Sequence, residues 1–170
     1  IIKPYIKLLV QEPQVAIEMF TVTNSNYEND PWILNNMGKC YTELSNHKKA
    51  ETCFAKAHQI DKARIEGKEY YSSCLWHLKK QADLSKLAFD YMKNHYFAPE
   101  TWVIMANCYS LNQDHDTALT FLSRAIQIDP QNAYAYCLSG HEYSCKENFD
   151  KAKECYEKAI NLDQRNVRAY

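Results

Sequence analysis

Glycine is scarce in this sequence, with only Gly38, Gly67 and Gly140 in 170 residues, so no glycine-rich loop can cradle a phosphate. The seven cysteines contain no Cys-x-x-Cys pair, and the six histidines show no ligand spacing with them. Neither a metal site nor a disulfide framework can be read from that pattern. No apolar run approaches the roughly 18 residues that span a bilayer, and Leu8 to Val10 is too short for a signal-peptide core. Neither sign of charge dominates: the net charge is −1, the pI is near 6.6, and no local cluster of Lys and Arg appears. Nucleic acid is therefore not an expected partner, because its phosphates need a basic field. Catalytic signatures of the G-x-S-x-G or H-E-x-x-H kind are missing as well, so the expectation is a non-enzyme without a cofactor. What remains is the composition of a folded chain, 46% apolar and 24% charged.

The chain is organised by repetition. Trp102, Ala106, Tyr109, Ala118 and Ala125 recur as Tyr136, Gly140, Tyr143, Ala152 and Ala159, each pair 34 positions apart. Trp102, Met105, Ala106 and Tyr109 fall at i, i+3, i+4 and i+7, one apolar stripe on a helix. Ala118, Leu122 and Ala125, with Leu119 and Ile126, make a second stripe after the polar break from Asn112 to Asp116. Small residues at Ala106 and Ala118 let two such helices approach closely, and large rings fill the space beside them. Pro130 stops the second helix, since proline cannot continue it. A 34-residue helical hairpin with these small and aromatic places resembles the tetratricopeptide repeat. The expected fold class is all-α, an α-solenoid of helix-turn-helix repeats wound into a right-handed superhelix.

In this register residues 1–30 read as the end of a truncated repeat, with Ala16 and Phe20 in the places of Ala50 and Phe54 and a polar linker from Asn24 to Asp30. A repeat follows at 31–64. A degenerate one occupies 65–98, where Ser72 stands for glycine and Leu84 and Tyr91 for the two alanines. Regular repeats span 99–132 and 133–166, and 167–170 begins another. With no initiator Met before Ile1, the stretch reads as part of a longer chain. Cys40, Cys74 and Cys108 share one repeat place and are expected to be buried free thiols in a reducing compartment. Asp114, His115 and Asp116 read as a helix start with acidic residues near its N-terminus.

Repeat places two, five, nine, twelve and thirteen are left over from packing inside a hairpin and are expected to line a binding wall. They hold Glu66, Glu69, Ser73, Trp76 and His77, then Glu100, Val103, Asn107, Ser110 and Leu111, then Tyr134, Cys137, His141, Ser144 and Cys145. One place breaks the rule, because Glu142 stands where Cys40, Cys74 and Cys108 stand. A carboxylate there needs a partner: a neighbouring Tyr, Lys or amide, or a cationic group of a ligand, most simply an arginine.

Several strings are more specific than the repeat. Leu75-Trp76-His77-Leu78, Glu100-Thr101-Trp102, Asn107-Cys108, Arg124 to Pro130, and Ala133 to Tyr136 leading to Gly140-His141-Glu142 resemble the family of tetratricopeptide subunit three of the anaphase-promoting complex, or cell division cycle protein 27. The resemblance covers nearly all of the chain from Trp32 onward. It implies a non-catalytic scaffold of a ubiquitin ligase that times mitosis, in the nucleus and cytoplasm, with other subunits of the complex as partners. It further implies that a C-terminal superhelix receives the Ile-Arg tails of coactivators and of the Doc-domain subunit, and that dimer-forming repeats lie outside this stretch. Carried over by position, Asn107, His141 and Glu142 are the expected tail contacts, with Trp76, Leu111, Tyr134 and Leu138 as walls. Two rivals share the fold. A co-chaperone clamp needs Lys at the fifth place, where this chain has Asn35, Glu69, Val103 and Cys137. The substrate-selecting repeats of a glycosyltransferase need an asparagine ladder at the ninth place, where only Asn107 fits, beside Lys39, Ser73 and His141.

Overall fold

The computed structural model describes residues 12–26 and 30–163, and within them every regular element is an α-helix. They are α1 (Pro13–Asn26), α2 (Pro31–Glu43), α3 (His47–Ile60), α4 (Lys68–His77), α5 (Gln81–Asn94), α6 (Pro99–Leu111), α7 (His115–Ile128), α8 (Ala133–Cys145) and α9 (Phe149–Leu162). None of them is long and apolar enough to cross a membrane. Two compact units divide the chain, residues 1–80 and 81–170. The boundary falls inside the degenerate repeat, so α4 belongs to the first unit and α5 to the second. Helix α1 continues to Asn26, three residues into the stretch expected as a linker. The expectations for residues 1–11 and for a further repeat at 167–170 lie outside the described residues.

Local chemistry sets the helix ends. Pro31 and Pro99 open α2 and α6, where a missing N–H has no helical partner to lose. Asp30 caps α2 by accepting from the Trp32 and Ile33 amides. Asn46, Asp114, Asn132 and Asn148 cap α3, α7, α8 and α9 in the same manner. Four hairpin turns are built alike. Ser45, Lys79, Gln113 and Glu147 adopt left-handed φ values of 56°, 57°, 64° and 58°. The residue after each donates back across the turn, from Asn46, Lys80, Asp114 and Asn148 to the carbonyls of Tyr41, Leu75, Tyr109 and Tyr143. This is the Schellman closure of a helix C-terminus. Asp129 ends α7 just before Pro130, as the sequence requires.

Each unit has its own core. In the first, Ala16 and Phe20 of α1 are buried against Ile33, Met37 and Cys40 of α2. Phe20 lies edge-on to Trp32 with ring centroids 6.2 Å apart. In the second, Trp102, Val103 and Ala106 of α6 pack with Ala118, Leu122 and Ala125 of α7 and Ala135 of α8. Both stripes expected in 65–98 are also present, with Tyr71, Cys74 and Leu75 buried in one unit and Leu84, Leu87, Ala88 and Tyr91 in the other. Cys40 and Cys74 are buried free thiols and Cys108 is half-buried. Burial, with the Glu43 charge adding to it, pushes the Cys40 thiol up to about 12, far from the reactive thiolate range.

Close approach decides the glycine at the eighth repeat place. A Cβ on Gly38 would stand 2.6 Å from the buried Phe54 ring, and one on Gly140 would stand 2.6 Å from the Tyr156 ring. Where that partner is Leu122, the place holds Ala106. Gly38→Ala should therefore lose about 1–2 kcal/mol of stability, overpacking against Phe54 outweighing a helix-propensity gain of about 1 kcal/mol. Urea unfolding followed by circular dichroism measures it. Adding Phe54→Leu, which restores the Ala106–Leu122 pairing, should recover part of the loss; a strictly additive double variant would refute the steric account.

Candidate functional site

The carboxylate that broke the repeat pattern is the centre of the second unit's polar chemistry. Glu142 is only 3% exposed. Its Oε1 accepts from the Ser110 hydroxyl at 2.7 Å, and its Oε2 lies 2.7 Å from His115 Nδ1. His141 Nδ1 is 3.6 Å from Oε1 and 47% of the His141 side chain faces solvent. Three helices thus converge on one carboxylate: α6 through Ser110, α7 through its first residue His115, and α8 through Glu142 itself. Burial works against the charge on Glu142, but the contacts from His141, His115 and Ser110 outweigh it and hold its carboxyl below the ordinary 4.5.

The partners are a hydroxyl and an imidazole rather than the Tyr, Lys or amide expected. Register is the signal that would have found them. Ser110 takes the place of Thr42, and His115 the place of His47. In the first unit Thr42 Oγ1 lies 3.5 Å from Cys74 Sγ, the same pairing with a thiol where Glu142 stands. Asp114 and Asp116 do form the acidic helix start that was expected, while His115 between them turns inward.

The other expected site residues divide between the units. In the second, Asn107 is buried and Leu111 half-buried on α6; Tyr134 and Leu138 on α8 are half-buried and pack on the Trp102–Val103–Ala106 core. Asn107 lies one turn before Ser110 and Leu111, and Tyr134, Leu138, His141 and Glu142 follow one stripe of α8. Trp76 belongs to the first unit, half-buried, with Lys79 Nζ 4.2 Å over its ring and His77 edge-on at 5.0 Å. His77 in turn stacks on His47 at 4.1 Å. The expected wall is narrower than the register suggested. Val103 and Ser110 are buried under α8, the first helix of the next hairpin, and Cys137 is buried against Ala159 of α9. His141 and Cys145 remain exposed. No group of three or more His, Cys, Asp or Glu among the described residues could hold a metal ion.

Helix-turn-helix hairpins with small residues at their close approaches and Schellman-closed turns define a helical repeat protein. The tetratricopeptide repeat family model matches residues 33–64, 99–132 and 133–166, more than half of the chain, and the chain belongs to that family. The chain is also similar to particular relatives within that family. Anaphase-promoting complex subunit 3 of Schizosaccharomyces pombe is 38% identical over 155 residues, covering 91% of this chain and 23% of that protein. Cell division cycle protein 27 homolog of Homo sapiens is 40% identical over 128 residues, covering 75% and 16%. The chain spans about a fifth of the length of these curated relatives. Among solved structures, a chain of the APC/C hetero-tetramer Cut9-Hcn1 matches with a TM-score of 0.80 at 18% identity, over 89% of this chain and 29% of that one. The thermophilic tetratricopeptide protein TTC0263 of Thermus thermophilus matches with a TM-score of 0.77 at 14% identity, over 98% and 91%. These two matches speak for the fold alone.

Proposed function

We propose that this chain is part of a non-catalytic scaffold subunit of an anaphase-promoting complex, acting in the nucleus and cytoplasm with other subunits of that complex as partners. The observation that carries this reading is the 38–40% identity to anaphase-promoting complex subunit 3 and cell division cycle protein 27 relatives over most of the chain. Within it, the α6–α8 face is the receiver of a C-terminal Ile-Arg tail. Tyr134, Leu138 and Leu111 offer apolar contact to the isoleucine. The arginine is drawn toward the buried negative charge of Glu142, behind the half-exposed His141, and Asn107 adds an amide.

Magnitudes make the tail a weak ligand by itself. A buried Ile contributes roughly 1.5–3 kcal/mol and a charge-assisted hydrogen bond about 1.5–3 kcal/mol, and association costs consume much of the sum. Useful affinity then comes from a second contact on the same partner. A labelled peptide ending in Ile-Arg-COOH should bind saturably, and a control ending in Ile-Glu should not. Asn107→Ala and His141→Ala should each weaken the binding about five- to tenfold with helicity unchanged. Equal binding of both peptides, or of wild type and both variants, would remove the tail from the reading. Glu142→Ala is a poor probe here, since it also removes the carboxylate that Ser110 and His115 both contact.

A further inference from the structure

A second site lies in the same unit and shares no residue with the Glu142 cluster. A cleft of about 650 Å³ is lined by α7 together with Trp102 of α6, Tyr143 of α8, Lys146 just beyond it and Lys151 of α9. Its charge is unbalanced, with three cations, Arg124, Lys146 and Lys151, against one carboxylate, Asp116. Lys146 pairs with Asp116. Arg124 and Lys151 have no carboxylate within ion-pair distance among the described residues, and each rests on an aromatic face. The Arg124 guanidinium lies 5.8 Å from the Trp102 ring centroid, and Lys151 Nζ lies 5.5 Å from that of Tyr143.

We propose that this cleft docks a short acidic peptide segment of a partner protein, two carboxylates meeting Arg124 and Lys151 and one apolar side chain resting on the cleft's aromatic and leucine lining. Both cations are already held by rings, so little freedom is lost when a carboxylate arrives. The arginine fork suits a carboxylate bidentately. Thr120 and Ser123 line the same cleft with hydroxyls that can meet a peptide backbone. A chain of net charge −1 supplies no wide basic field, so the excess is local and matches a few carboxylates rather than a phosphate backbone.

The experiment is fluorescence anisotropy on the 170-residue chain with a labelled eight-residue peptide of Glu pairs separated by Leu, beside its Lys-for-Glu counterpart. Saturable binding of the acidic peptide is expected, at least tenfold weaker in Arg124→Glu and in Lys151→Glu, with circular dichroism unchanged. The double charge reversal should prefer the Lys peptide, while Asn107→Ala should bind the acidic peptide like wild type. That last arm separates this cleft from the tail site, so either can fail alone. The proposal is overturned by no saturable binding, by equal binding to both reversed variants, or by tighter binding of a single-stranded oligonucleotide of the same charge.

Discussion

Replacing Glu142 with alanine is expected to lower the unfolding free energy by roughly 3 kcal/mol, because the change removes a buried carboxylate that joins Ser110 of α6 and His115 of α7 to α8 by two short hydrogen bonds. Glu142→Cys should lose less. Cysteine is the residue at this place in the three preceding repeats, and the Thr42–Cys74 contact shows that a hydroxyl and a thiol fit there. Acid titration gives an independent reading of the same charge. In the unfolded chain the carboxyl titrates near 4.5, whereas in the folded chain its pKa is lower. As pH falls through that window the unfolded state binds more protons, so the stabilisation is full above 4.5 and is lost below it. Urea unfolding at pH 7 and across pH 5 to 3 should show a larger acid loss in wild type than in Glu142→Cys, the lowered carboxyls of Asp61, Asp114 and Glu154 contributing equally to both. An unchanged urea midpoint for Glu142→Ala would mean that the three-helix cluster adds nothing to the fold.

The second large effect has the opposite sign. Lys68 is 1% exposed, and its Nζ has no hydrogen-bond partner among the described residues. It takes the fourth repeat place, which holds Leu34, Trp102 and Tyr136 in the other repeats, so a cation stands where the hairpin uses an apolar body. Burial pushes its pKa down from 10.5 to about 8, with Asp61 and Glu69 opposing and Arg64 assisting. A shift of that size corresponds to about 3 kcal/mol of penalty on the charged form. Lys68→Met, similar in length and uncharged, should therefore stabilise the chain by about 2–3 kcal/mol at pH 7. Between pH 8 and 10.5 the unfolded lysine holds its proton while the folded one releases it, so the penalty is relieved as pH rises and the gap between variant and wild type should close. The comparison must be made between the two proteins. Raised thiols such as Cys40 remain protonated in the fold after they ionise in the unfolded chain, and they pull wild-type stability down over the upper part of that range. A methionine variant no more stable than wild type at pH 7 would show that the ammonium reaches water.

Repetition made the helices legible. Ala106, Ala118, Trp102 and Tyr109 announce a hairpin because helix packing repeats with a fixed geometry, and Pro130 marks where it stops. Glu142 was legible as an anomaly, since three cysteines in register define what the place expects. Its partners were harder to find, because Ser110 and His115 come from two other helices and only a cross-repeat comparison with Thr42 and His47 brings them together. Lys68 carries a similar signal, a lysine at the fourth place that holds Leu34, Trp102 and Tyr136 elsewhere, but a long flexible side chain can also turn to solvent from such a place, so register alone does not bury it. The cleft of Arg124 and Lys151 was hidden, as its residues lie on four consecutive helices or their ends and none of them departs from its repeat pattern.

The hairpin turns carry a last consequence. Ser45, Lys79, Gln113 and Glu147 are all exposed and share a left-handed backbone held by main-chain hydrogen bonds, while their side chains are a hydroxyl, an ammonium, an amide and a carboxylate. The turn is thus specified by the backbone and accepts side chains of any charge, although β-branched residues are disfavoured at this φ and Lys79 also rests on the Trp76 ring. Mutation can rewrite the charge displayed there one repeat at a time without disturbing any core, so an array of this kind can drift toward new neighbours along its turns while the packing between its helices stays as it was.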